Sequence, residues 1–302
     1  MPLRWRRTAR WDREIAALDA KEDAQEIVTI LVSHVFPVEL LLALELAQLR
    51  TFTIPSISKV LHATRQYEDD GVRRLDDTRA IIGEIYRYER GSVEQREMIE
   101  HLNAIHSLYT ISNDDYLYTL STFIFDPTLF LERFGFRSLT DKEQDALFHM
   151  YRELGEQMGI ESLPETRHDY WRWRVAYEAR AQRYSPANEA VARGFLAAVR
   201  SLLPTYLQPF TEMLTTAVLD DEQATLALGL DLPPRAVVRA VRNGLWLQAR
   251  AARFLNPFES RGIEEWAFFN TFPSYPDGYE RLRLGPRRVM EILDRRRERQ
   301  AS

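Results

Sequence analysis

Cysteine is absent from all 302 residues. That excludes disulfides, thiolate-bound zinc, a cysteine nucleophile and a thiolate-ligated haem. A basic excess is missing too: the formal charge is −5, which argues against a nucleic-acid partner, because phosphate binding rests on a basic face. Long apolar runs are scarce. The longest, Leu40 to Leu49, is interrupted by Glu45 and is too short for a transmembrane segment. The basic start, MPLRWRRTAR, runs into Asp12, Arg13 and Glu14 with no apolar signal core, so a soluble, cytoplasmic protein is expected. Arg4, Trp5, Arg6, Arg7 and Trp11 read as a basic tail, with contact to a membrane surface as the rarer alternative.

Several kinds of active site are also missing. There is no HExxH, no P-loop, no serine-hydrolase elbow and no Rossmann glycine pattern. A carboxylate-bridged di-iron bundle needs two Glu-x-x-His pairs, and only Glu165-x-x-His168 fits, at a proline-flanked helix start. The six histidines are His34, His62, His101, His106, His149 and His168. His101 and His106 lie five apart and point in different directions on a helix.

What is present is helical periodicity almost throughout, with no sustained strand alternation. The fold class expected is all-α: residues 1–20 as a basic N-terminal extension and residues 21–302 as a single multi-helix domain. Capping boxes at Ser92/Gln95 and Thr140/Glu143 open two of its helices. Gln66 to Arg73, polar and containing Gly71, is predicted to be a loop, and Asp126-Pro127 is predicted to stop a helix. After Asn256 the prolines and aromatics predict an irregular tail that wraps the helical body.

The chain is organised around Asn103 to Pro127. Met98, Leu102, Ile105, His106 and Tyr109 share one inward helix face, and Ser112-Asn113-Asp114-Asp115 starts the next helix. A lone histidine on such a stripe is more often a hydrogen-bonded core residue than a ligand. It is also the minimum requirement for a single protein-derived haem ligand. Arg74 and Thr78, four apart, are neighbours that face a shared cavity if their helix side turns inward.

Four motifs together are similar to the mpaB oxygenase and rubber-oxygenase (latex clearing protein) catalytic-domain family. They are RTFTIPSISKVLHAT (Arg50 to Thr64), RRLDDT (Arg73 to Thr78), NAIHSLYTISNDDYLYTL (Asn103 to Leu120) and ELGEQMGI (Glu153 to Ile160). The resemblance covers about Lys21 to Tyr206, with weaker agreement at YPDGYERLRLGP in the tail. It implies a haem b with His106 as the proximal ligand, and Arg74 and Thr78 as the catalytic pair on the distal side. Leu102, Ile105 and Tyr109 would wall the haem slot, and Asn103 or the corner Asn113 to Asp115 would accept the other imidazole N–H. Rubber oxygenases carry a lysine just before the threonine, where this chain has Asp77, so a lysine-capped iron is not expected. The implied partners are dioxygen and a small apolar, unsaturated or isoprenoid-like substrate, short of a polymer. A homo-oligomer is compatible with the sequence. The alternatives are a non-catalytic haem-binding protein and a helical lipid- or isoprenoid-binding protein.

Overall fold

Proline and hydroxyl side chains mark where the helices begin. A computed structural model describes residues 9–252 and 271–301, and among them every regular element is helical. In order these are α1 (Ala9–Ala17), α2 (Ala24–Ile30), α3 (Pro37–Thr51), α4 (Pro55–Thr64), α5 (Gln66–Arg87), α6 (Val93–His106) and α7 (Asn113–Phe134). Then come α8 (Asp141–Gln157), α9 (Arg167–Ala181), α10 (Pro186–Leu202), α11 (Thr211–Leu219), α12 (Glu222–Ala227), α13 (Arg235–Ala252) and α14 (Arg287–Ala301). A π-helical turn, Leu31–Val35, joins α2 to α3. Pro37, Pro55 and Pro186 sit in first turns, where a missing N–H costs nothing. Ser92, Ser112, Thr140, Thr166, Ser185 and Asp221 accept a backbone N–H at their helix starts. The Thr140/Glu143 capping box is complete. At α6 the Gln95 side chain takes the Gly91 N–H instead of closing a box on Ser92.

The largest apolar cluster joins α1–α3 to α7–α9 through residues such as Ile27, Leu31, Leu40, Leu117, Ile124 and Leu147. A second cluster lies between the end of α3, the start of α5, and α10, with Leu49, Phe52, Tyr67 and Phe195 at its centre. A third joins the far half of α5 and α6 to the C-terminal residues: Ile81, Ile85, Met98 and Ile105 meet Leu284, Met290 and Leu293. Helix α5 therefore runs from one core to the next.

Three features depart from sequence expectation. Gln66 to Arg73 is helical, with a kink at Asp70 (φ −147°, ψ 51°). Gly71 does not open a loop there; it lets α5 approach α10, since a Cβ on Gly71 would lie 3.1 Å from the Gly194 carbonyl oxygen. Helix α7 passes through Pro127 and ends only at Phe134. An interior proline costs about 3 kcal/mol, but Phe130, Leu131 and Phe134 beyond it are buried against the main core and offset that cost. The tail is not all irregular. Residues 271–280 form a strap that leads through a 3-10 turn, Arg281–Arg283, into α14. Residues 253–270 and 1–8 lie outside the described residues, and with them Arg4, Trp5, Arg6 and Arg7. Trp11 is buried in α1 and stacks on His34 at 4.0 Å, so it is not part of a free basic tail.

The α5–α10 crossing gives a direct prediction. A Cβ on Gly194 would lie 2.7 Å from the backbone carbonyl of Tyr67, which is too close for either backbone to yield. Gly194→Ala should cost about 2 kcal/mol or more by overpacking. Urea denaturation followed by circular dichroism measures it, and an unchanged midpoint would show that the helices separate freely.

Candidate functional site

The middle of α5 presents Arg74 and Thr78 one turn apart, both half-buried. The Arg74 guanidinium donates to the Thr78 hydroxyl oxygen, and that hydroxyl donates to the Arg74 carbonyl at 3.0 Å. From α3, Gln48 Nε2 also donates to the Thr78 oxygen, at 3.3 Å. The pair is therefore held against α3, and Arg74 lies 5.4 Å over the ring of Tyr67.

His106 occupies the last turn of α6, with Tyr116 edge-on at 5.6 Å between ring centroids. The residue is half-buried, but its Nδ1 is enclosed. Burial, helped by the positive charge of Arg74, pushes its pKa down to about 4, so the imidazole is neutral at pH 7. Arg74 thus stands within electrostatic reach of His106, and its charge also acts on Tyr67, Asp77 and Tyr109. Arg74 and Thr78 are bonded to each other, and the Arg74 charge acts on both His106 and Tyr109.

Leu102, Ile105 and Tyr109 belong to the apolar cluster shared with the C-terminal residues, and Ile105 faces Gly285 and Met290. The polar groups expected to hold the imidazole do other work. Asn103 donates to the Gln157 carbonyl at 3.1 Å, and Asn113 exchanges hydrogen bonds with the backbone of Glu161. Asp114 pairs with Arg180, while Asp115 accepts from Ser56 and Tyr177. Each is engaged by a distant part of the chain and not by His106.

Asp77 is buried and is held by the Tyr275 hydroxyl of the strap; burial raises its pKa against that hydrogen bond and the charges of Arg74 and Arg73. The strap is pinned further by the Ser274 N–H on Asp76 (2.9 Å), by the Tyr279 hydroxyl on Glu84 (3.0 Å) and by His101 Nε2 against the Leu284 carbonyl (2.8 Å). His101, which the sequence turned away from His106, anchors the C-terminal segment.

Sequence reasoning missed Glu45, Gln48 and Tyr67. Glu45 interrupts the apolar run of α3, and that interruption was the available signal. Burial lifts its carboxyl to about 7, with Arg79 opposing and Asp76 adding to the rise. Burial likewise pushes Tyr67 up to about 12, Arg74 opposing and Glu45 adding. His106 Nδ1, the Tyr67 hydroxyl and Glu45 Oε2 are enclosed with no hydrogen-bond partner among the described residues. Buried polar atoms are nearly always satisfied, so these are atoms that a bound group would satisfy.

A haem would ask less of these side chains than a bare metal ion would. No group of three or more His, Asp or Glu side chains able to hold a metal occurs among the described residues. A porphyrin brings four nitrogens of its own and needs one neutral imidazole, which His106 offers.

A family model described as "ER-bound oxygenase mpaB/B'/Rubber oxygenase, catalytic domain" matches residues 34–254. The ER-bound oxygenase mpaB' of Penicillium brevicompactum is 31% identical over 229 residues, 69% of this chain and 54% of that protein. The ER-bound oxygenase mpaB of the same organism is 31% identical over 254 residues, 76% of this chain and 63% of its own length. The mpaB of Penicillium roqueforti (strain FM164) is 29% identical over 227 residues, covering 69% and 76%. The match to each Penicillium brevicompactum relative covers less than two thirds of that relative. Their names overturn the expected cytoplasmic location: the relatives are named as ER-bound proteins, and the charge pattern of residues 1–14 on which that expectation rested does not carry location. Among the described residues no single helix is long and apolar enough to cross a membrane.

Proposed function

The chain belongs to the ER-bound oxygenase mpaB/rubber oxygenase catalytic-domain family, and from that premise we propose that it is a haem b-dependent oxygenase acting on a small apolar, unsaturated substrate. The observation that carries this reading is the enclosed, neutral His106 within electrostatic reach of the Arg74–Thr78 pair, inside the matched region. Haem b would supply an iron at which dioxygen is activated.

The chain's own residues divide the remaining work. His106 offers an uncharged imidazole nitrogen, and burial keeps it uncharged down to mildly acidic pH. Arg74 keeps a permanent positive charge in the site, steadied by Thr78 and Gln48, where it favours a propionate or a developing negative charge. The Glu45 carboxyl, lifted by burial to about 7, can hold or release a proton near neutral pH and is the group we assign to proton movement. Leu102, Ile105 and Tyr109 supply apolar surface on α6; burying an unpaired polar substrate group there would cost several kcal/mol, roughly 2–7. Such a substrate dissolves in bilayers, so a membrane surface is the working place we infer, in keeping with the relatives' names.

Purified protein reconstituted with haem, labelled dioxygen and a panel of prenyl, terpenoid and fatty alkenes tests the reading. Label in a carbonyl product supports it. A fully haem-loaded protein that turns over none of them, with reductant or peroxide supplied, would make it a binding protein.

Glu45 yields a separate expectation. Its folded pKa lies above its ordinary value of 4.5, so stability is fully present below pH 4.5 and is lost as pH rises through about 7. Glu45→Gln should flatten that fall in the denaturation midpoint and remove a limb near neutrality from the pH–rate profile. Profiles identical to wild type would take Glu45 out of the site.

A further inference from the structure

Helix α13 carries a stripe that neither the core nor the candidate site uses. Arg235, Arg239, Arg242, Trp246 and Arg250 follow one another at steps of four, three, four and four, which puts them on one helix face. All five are exposed, and Trp246 keeps 51% of its surface accessible, beside Leu247 at 60%. The helix contains no acidic residue, although the whole chain has a formal charge of −5. Its other side is occupied: Val237, Val241, Leu245 and Ala249 are wholly or partly buried, and the helix packs on α11 and α7. Arg250 lies 4.5 Å over the Trp246 ring, so a cation and an aromatic stand together at the exposed surface. Arg242 reaches Asp220 at 2.6 Å, while the charges of Arg235 and Arg239 stand out from the chain's acidic average.

We infer that this face of α13 docks the protein on an anionic lipid surface. The complementarity is specific in kind. Arginines on an exposed helical face seek phosphate and carboxylate headgroups, and tryptophan settles at the boundary between headgroup and acyl chain. Over 18 residues the helix is about 27 Å long, enough to lie along an interface without spanning it. A basic stripe alone would suit any polyanion; exposed Trp246 and Leu247 favour a surface with an apolar layer beneath the charge.

This rests on the membrane-surface reading above and names the part of the molecule that would make the contact. The test needs neither haem nor turnover. Full-length protein is sedimented with phosphatidylcholine vesicles, with and without phosphatidylserine, at low and high salt. Binding should require phosphatidylserine and weaken with salt. Arg235→Glu with Arg239→Glu should lower partitioning by about tenfold or more while circular dichroism and melting stay unchanged. Tryptophan emission should be quenched by vesicles with brominated acyl chains, and Trp246→Phe should remove part of that quench. If wild type binds and the double variant binds equally well, the α13 inference is overturned while membrane association stands. If wild type binds no anionic vesicle, or is retained only by a soluble polyanion such as RNA, both are overturned.

Discussion

Replacing His106 by alanine should leave a helical protein that takes up haem at least about a hundredfold more weakly and shows no Soret band. The expectation follows from chemistry already in place. The chain has no cysteine to substitute as a ligand, and no described cluster of three acidic or histidine side chains competes for iron. A second effect separates the ligand role from a packing role. In the haem-free protein the folded pKa of His106 is about 4, below the ordinary 6.5. A depressed histidine contributes stability that is fully present above pH 6.5 and is lost as pH falls towards 4, because the unfolded chain binds the proton first. With allowance for its half-exposed state this amounts to roughly 2 kcal/mol. His106→Leu should therefore flatten the acid limb of a stability–pH curve as well as lose haem. A variant with full haem content would remove His106 as the ligand. An unchanged acid limb would mean that its imidazole is wetter than the enclosed Nδ1 implies.

How far the sequence reached depends on whether a feature is local. That Arg74 and Thr78 are neighbours was legible from their spacing of four, whereas singling them and His106 out rested on the family phrases rather than on spacing. The partners of those residues were not legible. Asn103 and Asn113 to Asp115 lie near His106 in sequence, yet their partners are distant along the chain: Asn103 reaches Gln157, Asn113 brackets Glu161, and Asp115 takes Ser56 and Tyr177. Glu45 and Gln48 come from α3, about thirty positions upstream, and only packing brings Gln48 to Thr78. The breaker residues misled for a related reason. Gly71 and Pro127 carry intrinsic penalties of roughly 1 and 3 kcal/mol in a helix. Tertiary contact outweighs both, a close α5–α10 approach in one case and buried Phe130 and Phe134 in the other. Among the described C-terminal aromatics, Tyr275 and Tyr279 do lie on the helical body, their hydroxyls held by Asp77 and Glu84. Beyond them the chain ends in the helix Arg287–Ala301, and among its described residues Val289, Met290 and Leu293 are buried.

The largest expected loss of stability lies away from the site, at Arg174. This guanidinium is 1% exposed and meets Asp126 at 2.5 Å, Glu178 at 3.2 Å and the Ser121 carbonyl at 3.3 Å. Asp126 turns its other oxygen to Arg50, at 3.3 Å, and Arg50 continues to Asp221, the cap of α12, at 2.8 Å. Tyr118 completes the set by donating to Glu178 at 2.9 Å. The network thus ties α3, α7, α9 and α12 together just before Pro127, where α7 has lost a backbone hydrogen bond. Arg174→Ala removes a buried cation and leaves two carboxylates short of partners, which costs about 3–5 kcal/mol. For a chain of this size that is a fall in melting temperature of the order of 10 °C. Arg174→Lys keeps the charge but cannot reach Asp126 and Glu178 with a planar fork, so it should fall between the two. Urea unfolding with an unchanged slope measures the difference. A loss under about 1 kcal/mol would mean that Arg50 alone neutralises Asp126. Because α3 also carries Glu45 and Gln48, the alanine variant should loosen the Gln48–Thr78 contact and lower haem occupancy without touching His106. Full haem occupancy in a variant destabilised by several kcal/mol would show that α3 holds its position at the site through its apolar face alone.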